Sequence, residues 1–207
     1  MNVFETNAER YEEWFENHPL AYQSEIAAVE KLLPKTGRGL EIGTGSGRFS
    51  LPFGISDGVE PARAMRRIAQ KHGLNVQNAK AEKLPFSNAT FDFALMITTL
   101  CFVEDPLQAL REAHRVLKPK GKLLVGIVDL ESKLGEKYET QKAKSPFYRD
   151  ARFFSTSKTI QLLDTTGFCN FRCQQTLFQP LEKLLKPETP QNGFGEGGFV
   201  VIAGERA

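Results

Sequence analysis

The sequence predicts an α/β fold built on a doubly wound, mostly parallel sheet with an antiparallel last strand. Strand-length apolar runs alternate with segments of helical period over most of the 207 residues, the pattern of a parallel sheet with helices on both faces. The run Phe91–Thr98 is apolar almost throughout, as a strand covered on both faces must be. The two final strand candidates, 171–178 and 199–203, have no helix between them, so they are expected to pair antiparallel.

Element by element, the chain starts with helical spacing. Tyr11, Trp14, Phe15 and His18 fall at i, i+3, i+4 and i+7, one face of a helix. A second helix is expected over 25–33, with Ile26, Val29, Leu32 and Leu33 inward and Pro34 and Gly37 as its stop. Gly39–Ile42 reads as the first strand, followed by a glycine cluster and a brief helical turn at 48–52. Residues 57–60 form the second strand, and Pro61 suits the first position of a helix striped by Met65, Ile68, Ala69 and His72 and capped by Gly73. A third strand falls at 74–78. Beyond 91–98, Asp105 and Pro106 open a helix as cap and first residue. A turn at 118–121 ends it, and 122–128 is another buried strand. Residues 131–152 are charged and aperiodic, and Ser155 starts a helix that ends at Gly167.

Composition narrows the function. With 41% apolar and 25% charged residues the chain is globular rather than disordered. Its 27 basic and 25 acidic residues leave a net charge of +2, which gives no global attraction for nucleic acid or an anionic membrane. Cys101, Cys169 and Cys173 are too few, and odd in number, for a disulfide framework. They suit a reducing cytosol, so a cytoplasmic protein is expected. The first residues lack a basic region followed by an apolar one, no run is long enough to span a bilayer, and no metal-ligand spacing occurs.

The segment Glu41-Ile42-Gly43-Thr44-Gly45-Ser46-Gly47 is the most informative in the chain. It joins a strand to a helical segment, where glycines let backbone approach a ligand closely. A dinucleotide fingerprint G-x-G-x-x-G needs a third glycine where Arg48 stands, which argues against a nicotinamide-dependent oxidoreductase. A second acid, Glu60, closes the next strand, where a carboxylate can accept hydrogen bonds from both hydroxyls of a ribose. Gly193, Gly195 and Gly198 match the dinucleotide spacing, but no helix follows them.

Five segments in register then resemble a family. They are the 41–47 loop, Val59-Glu60-Pro61, Ala81-Glu82-Lys83-Leu84-Pro85-Phe86, Phe91-Asp92, and 112–121 with its Arg115 and Gly121. Residues 38–130 are similar to the class I S-adenosylmethionine-dependent methyltransferases, above all the small-molecule branch that includes quinone-biosynthesis enzymes. The resemblance implies a Rossmann-like fold with N-terminal helices over the site. It also implies that Gly43, Thr44 and Gly45 back the methionine and ribose, and that Glu41 lies near the methionine amino end. Glu60 would hold the ribose diol, Pro61, Ala81 and Glu82 would border the adenine, and Thr98 would face the methionine. Many relatives have Asp where Lys80 stands here, which leaves Glu82 as the acid nearest the adenine. The implied organisation is one domain, 1–207: a helical cap 1–34, a cofactor-binding core 35–130, a lid 131–154, and a helix with a hairpin 155–207.

Methyl transfer from a sulfonium needs in-line positioning and exclusion of water, so a missing catalytic triad is no argument against activity. The expected reaction moves a methyl group to a small-molecule acceptor, on a monomer or homodimer. Tyr11, Phe102 and Tyr148 are the candidates to line the acceptor site. His18, His114 and Cys101 read better as packing residues. A catalytically silent S-adenosylmethionine-binding protein is the main alternative. An RNA or protein methyltransferase is a weaker one, because the Pro-Pro-aromatic sequence of adenine-base enzymes is replaced here by Thr98-Thr99-Leu100-Cys101-Phe102.

Overall fold

The computed structural model describes residues 3–207; Met1 and Asn2, which open the expected cap, lie outside the described residues. Three helices come first, α1 (Val3–Thr6), α2 (Ala8–Asn17) and α3 (Pro19–Leu32). Then follow β1 (Gly39–Ile42), β2 (Asp57–Val59), α4 (Arg63–Lys71), β3 (Asn75–Gln77), β4 (Phe91–Ile97) and α5 (Pro106–Val116). The chain continues through β5 (Leu117–Val128), α6 (Lys133–Gln141), α7 (Thr156–Thr165), β6 (Phe168–Thr176), β7 (Gln191–Asn192) and β8 (Phe199–Arg206). The strands form one sheet in the order β3-β2-β1-β4-β5-β8-β6-β7. It is parallel from β3 to β5, and β8 runs antiparallel between β5 and β6. The expected antiparallel last strand is therefore an interior strand, not an edge.

Alternation along the central strands separates two layers. Ala94 and Met96 of β4 face a cluster with α5 and α7, built on Leu110, Val116, Leu163 and Phe168. Phe93, Leu95 and Ile97 face the other side, against Phe15 of α2 and Ala28, Val29 and Leu32 of α3. Covering both faces explains why β4 shows no polar alternation.

Local chemistry sets the helix starts. Asp105 caps α5 by accepting from the Gln108 N–H at 3.0 Å, with Pro106 at the first position, and Ser155 caps α7 by accepting from Lys158. Five expectations need correction. The turn expected at 118–121 lies within β5, which follows α5 directly at Leu117. The second helix begins at Pro19 rather than at residue 25, because the proline is a preformed first residue. Pro61 precedes its helix by two residues: Glu60 accepts from the Ala62 N–H at 2.8 Å and holds that backbone extended, so α4 starts at Arg63. The segment after the glycine loop is a run of turns and a single 3-10 turn at Leu51–Phe53. The charged stretch 131–152 contains α6, capped by Ser132 and anchored by Leu134 and Tyr138 four residues apart, with its charged residues mostly outward.

The 112–121 segment holds another segment in place. Glu112 accepts from the Leu84 N–H at 2.7 Å. The Arg115 guanidinium binds that carboxylate at 2.6 and 2.8 Å, the carbonyls of Leu84 and Phe86 at 3.0 and 2.7 Å, and Asn88 at 3.0 Å. One side chain thereby pins the loop that follows Ala81 and Glu82. Arg115→Met leaves two carbonyls and a carboxylate without their donor. It should lower stability by about 1–3 kcal/mol, read as a lower denaturant midpoint at unchanged slope.

Candidate active site at the carboxyl ends of the strands

The chain runs from β1 outward to β2 and β3, then returns to place β4 on the other side of β1. Loops leaving β1 and β4 diverge at that reversal and open a crevice, where ligands bind in such sheets. A cavity of about 680 Å³ lies there. The glycine loop, 60–61, 79–82 and 97–104 line it, and Tyr11, Trp14 and Phe15 of α2, Glu25 of α3, Leu134 and Tyr138 of α6 and Tyr148 complete the wall.

Each glycine of the loop answers a separate constraint. All three have positive φ, +76° at Gly43, +56° at Gly45 and +95° at Gly47, where a Cβ is disfavoured. A Cβ at Gly43 would strike the Thr99 side chain, and one at Gly47 would strike Leu74. At Gly45 it would lie 3.2 Å from the Tyr11 hydroxyl, so Tyr11 of α2 reaches over the loop. Glu60 ties the loop to the second strand, since one oxygen accepts from the Gly45 N–H at 3.0 Å and the other from Ala62. It is 6% exposed and lies on the cavity wall. Burial pushes its carboxyl above the ordinary range, against the pull of those two N–H groups.

Of the residues singled out in the sequence, Gly43, Gly45, Glu60, Pro61, Ala81, Glu82, Thr98, Tyr11, Phe102 and Tyr148 all line this cavity. Glu41 and Thr44 do not; both are buried behind the loop. The Thr44 hydroxyl donates to the Glu41 carbonyl at 3.1 Å, and the Ser50 hydroxyl donates to the Glu41 carboxylate. Glu82 accepts from the Glu104 N–H at 2.8 Å and so turns the chain into α5. Thr98 has φ +47°, with its N–H held by the Gly126 carbonyl at 2.8 Å. A β-branched residue there stores about 1–3 kcal/mol of strain, which marks functional sites.

Neither His18 nor His114 lies on the wall. His18 stacks on Trp14, and His114 packs against Phe168. Burial pushes the Cys101 thiol up to about 12, which makes it an inert neutral group. Sequence reasoning missed Glu25, Tyr138, Leu177 and Leu181, all on the wall. The signal for Glu25 was its spacing, four after Ala21 and three before Ala28, on the buried face of α3.

Acids outnumber bases among the charged groups of a mostly apolar wall. Glu25, Glu60, Glu82, Glu104 and Asp150 face it, and Lys80 is the one basic side chain among the described residues there. Lys80 is paired with Glu104 at 2.6 Å. Such a surface suits a positively charged ligand.

Residues 40–125 match a family described as a methyltransferase domain. The chain is 51% identical to a Thermotoga maritima protein of known structure, covering 99% of each chain with a TM-score of 0.97. That protein is described as a SAM-dependent methyltransferase, possible histamine N-methyltransferase. The chain belongs to the S-adenosylmethionine-dependent methyltransferase family.

This methyltransferase is also 48% identical to an uncharacterized protein of Methanocaldococcus jannaschii over 206 residues, the full length of both. It is 35% identical to a Mycobacterium tuberculosis protein over 179 residues, 84% of this chain and 62% of that one. The site fits the family's cofactor. A positive-φ glycine loop offers backbone, Glu60 keeps unused lone pairs beside it, and the acidic wall matches a sulfonium charge. Among the described residues no helix is long and apolar enough to cross a membrane, and no cluster of His, Cys, Asp or Glu is arranged to hold a metal.

Burial pushes Glu41 up to about 8, opposed by the Ser50 hydrogen bond and reinforced by the Glu60 charge. A carboxyl raised on folding contributes stability at acid pH that is lost as pH rises from the ordinary carboxylate range through about 8. Melting temperature should therefore fall across that window. Glu41→Gln should make the fall shallower, as followed by thermal unfolding in a pH series.

Proposed function

We propose that this methyltransferase moves a methyl group from S-adenosylmethionine to a small-molecule acceptor held in the aromatic end of the cavity. The observation that carries this reading is the continuity of one cavity, from the glycine loop and Glu60 to Trp14, Tyr138 and Tyr148. When bound, the cofactor supplies a methyl group already activated on a positively charged sulfur.

The protein's residues have three tasks in this reading. The backbone at Gly43 and Gly45 and the Glu60 carboxylate hold the methionine and ribose portions, with Glu60 accepting from the ribose hydroxyls. Pro61, Ala81 and Glu82 border the adenine, on a loop that Arg115 keeps in place. Thr98 and Thr99, at the end of β4, position the reactive end between the two halves of the cavity. The cap 1–34 and the lid 131–154 exclude water, which strengthens every electrostatic contact inside. Their join is aromatic: Phe4 meets Phe102 at 5.0 Å and Phe147 at 5.8 Å between ring centroids, and Phe102 stacks with Tyr148 at 6.0 Å. An aromatic-lined cavity of about 680 Å³ has the size of a small-molecule site.

The possible histamine substrate in the description of the Thermotoga protein is an acceptor of that size. Calorimetric titration with S-adenosylmethionine, S-adenosylhomocysteine and NAD tests the cofactor half. The adenosyl ligands should bind, NAD should not, and Glu60→Ala should weaken binding by about tenfold through lost hydrogen bonds. Preference for NAD, or no adenosyl binding, would overturn the reading.

A further inference from the structure

Glu25 has no task in the cofactor half of the site. It sits on α3 in register with Ala21, Ala28 and Leu32, a position that packing reserves for apolar side chains. The residue is 6% exposed, and what surface it keeps faces the cavity. Among the described residues, no hydrogen bond or ion pair reaches its carboxyl group. A buried carboxylate is stable only with a partner, and the protein provides none.

The surroundings define what that partner must be. Tyr11 from α2, Tyr22 from α3 itself, Tyr138 from α6 and Tyr148 from the following segment are the titratable groups that feel the Glu25 charge. Burial raises all four phenols, so they face it as neutral groups. Tyr138 and Tyr148 stack at 5.1 Å and add ring faces to the same chamber. Aromatic faces attract cations and also pack against an aromatic body. Burial alone pushes Glu25 up to about 8, so near neutral pH it waits protonated.

We propose that Glu25 recognises the methyl acceptor, that this acceptor is a primary or secondary arylalkylamine, and that Glu25 takes up its proton. The proposal rests on the methyltransferase reading above. An amine reaches the protein as an ammonium ion, whose nitrogen has no free pair. On binding, one proton leaves to solvent, and a single proton is then shared between the Glu25 carboxylate and the nitrogen. With that proton on Glu25, the nitrogen lone pair forms the new N–C bond while the S–C bond breaks and its electron pair stays on sulfur. The product departs as an N-methylammonium ion and leaves Glu25 protonated, as it began.

The test is calorimetry on protein saturated with S-adenosylhomocysteine, near neutral pH, in two buffers of different ionisation enthalpy. The probes are 2-phenylethylamine and tryptamine, with 2-phenylethanol as the uncharged counterpart. The amines should bind about tenfold or more tighter than the alcohol, and the buffer dependence should report close to one proton released per amine. Glu25→Gln, which mimics the resting neutral acid, should bind S-adenosylhomocysteine normally. It should bind the amines about tenfold more weakly and release no proton, while Glu25→Asp should restore part of the release. Normal S-adenosylhomocysteine binding with no amine binding, equal binding of the alcohol, or an unaffected Glu25→Gln variant would overturn the assignment and leave the methyltransferase reading standing. Failure of S-adenosylhomocysteine to bind the native protein would overturn that reading first.

Discussion

The site depends on a reversal of direction in the sheet. Because β1 is flanked by β2 on one side and β4 on the other, the loops at its carboxyl end leave in opposite directions and cannot cover each other. A single carboxylate keeps that opening in order. Glu60 accepts one N–H from the glycine loop and one from the start of the next helix, so this part of the cavity wall is braced from two elements. The N-terminal cover is attached to the same place: Glu5 of α1 accepts from the Arg63 N–H at 2.6 Å and caps α4, which has no side-chain cap of its own.

The cavity departs from ordinary core chemistry in a consistent direction. Three buried carboxyl groups, Glu25, Glu41 and Glu60, are all raised by desolvation. Each destabilises the fold as pH rises, and a core built for stability alone would have replaced them with apolar side chains. Thr98 adds backbone strain at the same spot. Such violations gather where function needs them and are offset elsewhere; here the offset is the pair of buried apolar clusters on the two faces of the sheet.

The segment that matches the methyltransferase-domain model, 40–125, and the segments outside it line different parts of the cavity. The core supplies the loop, Glu60 and the Arg115 clamp. The cap, the lid and the stretch after β6 supply the chamber residues Trp14, Glu25, Tyr138, Leu177 and Leu181.

Sequence alone determined most of the order of elements and the glycine-loop part of the cavity wall. Glycines at alternate positions, an acid closing the second strand and an apolar run at β4 are local signals, each readable from neighbouring residues because backbone geometry and period are local properties. Where the reading failed, the signal was not local. The start of α4 depends on Glu60 and Glu5 reaching its first N–H groups, and α6 depends on two apolar side chains finding a cavity in a mostly charged segment. Tertiary structure alone decided the aromatic part of the cavity. Glu25 is an unremarkable acid on a helix until folding sets α2, α3, α6 and the segment around Tyr148 about one space. Burial in the folded chain, where Tyr138 and Tyr148 from more than a hundred positions away join Tyr11 and Tyr22 around it, leaves its carboxyl group unpartnered.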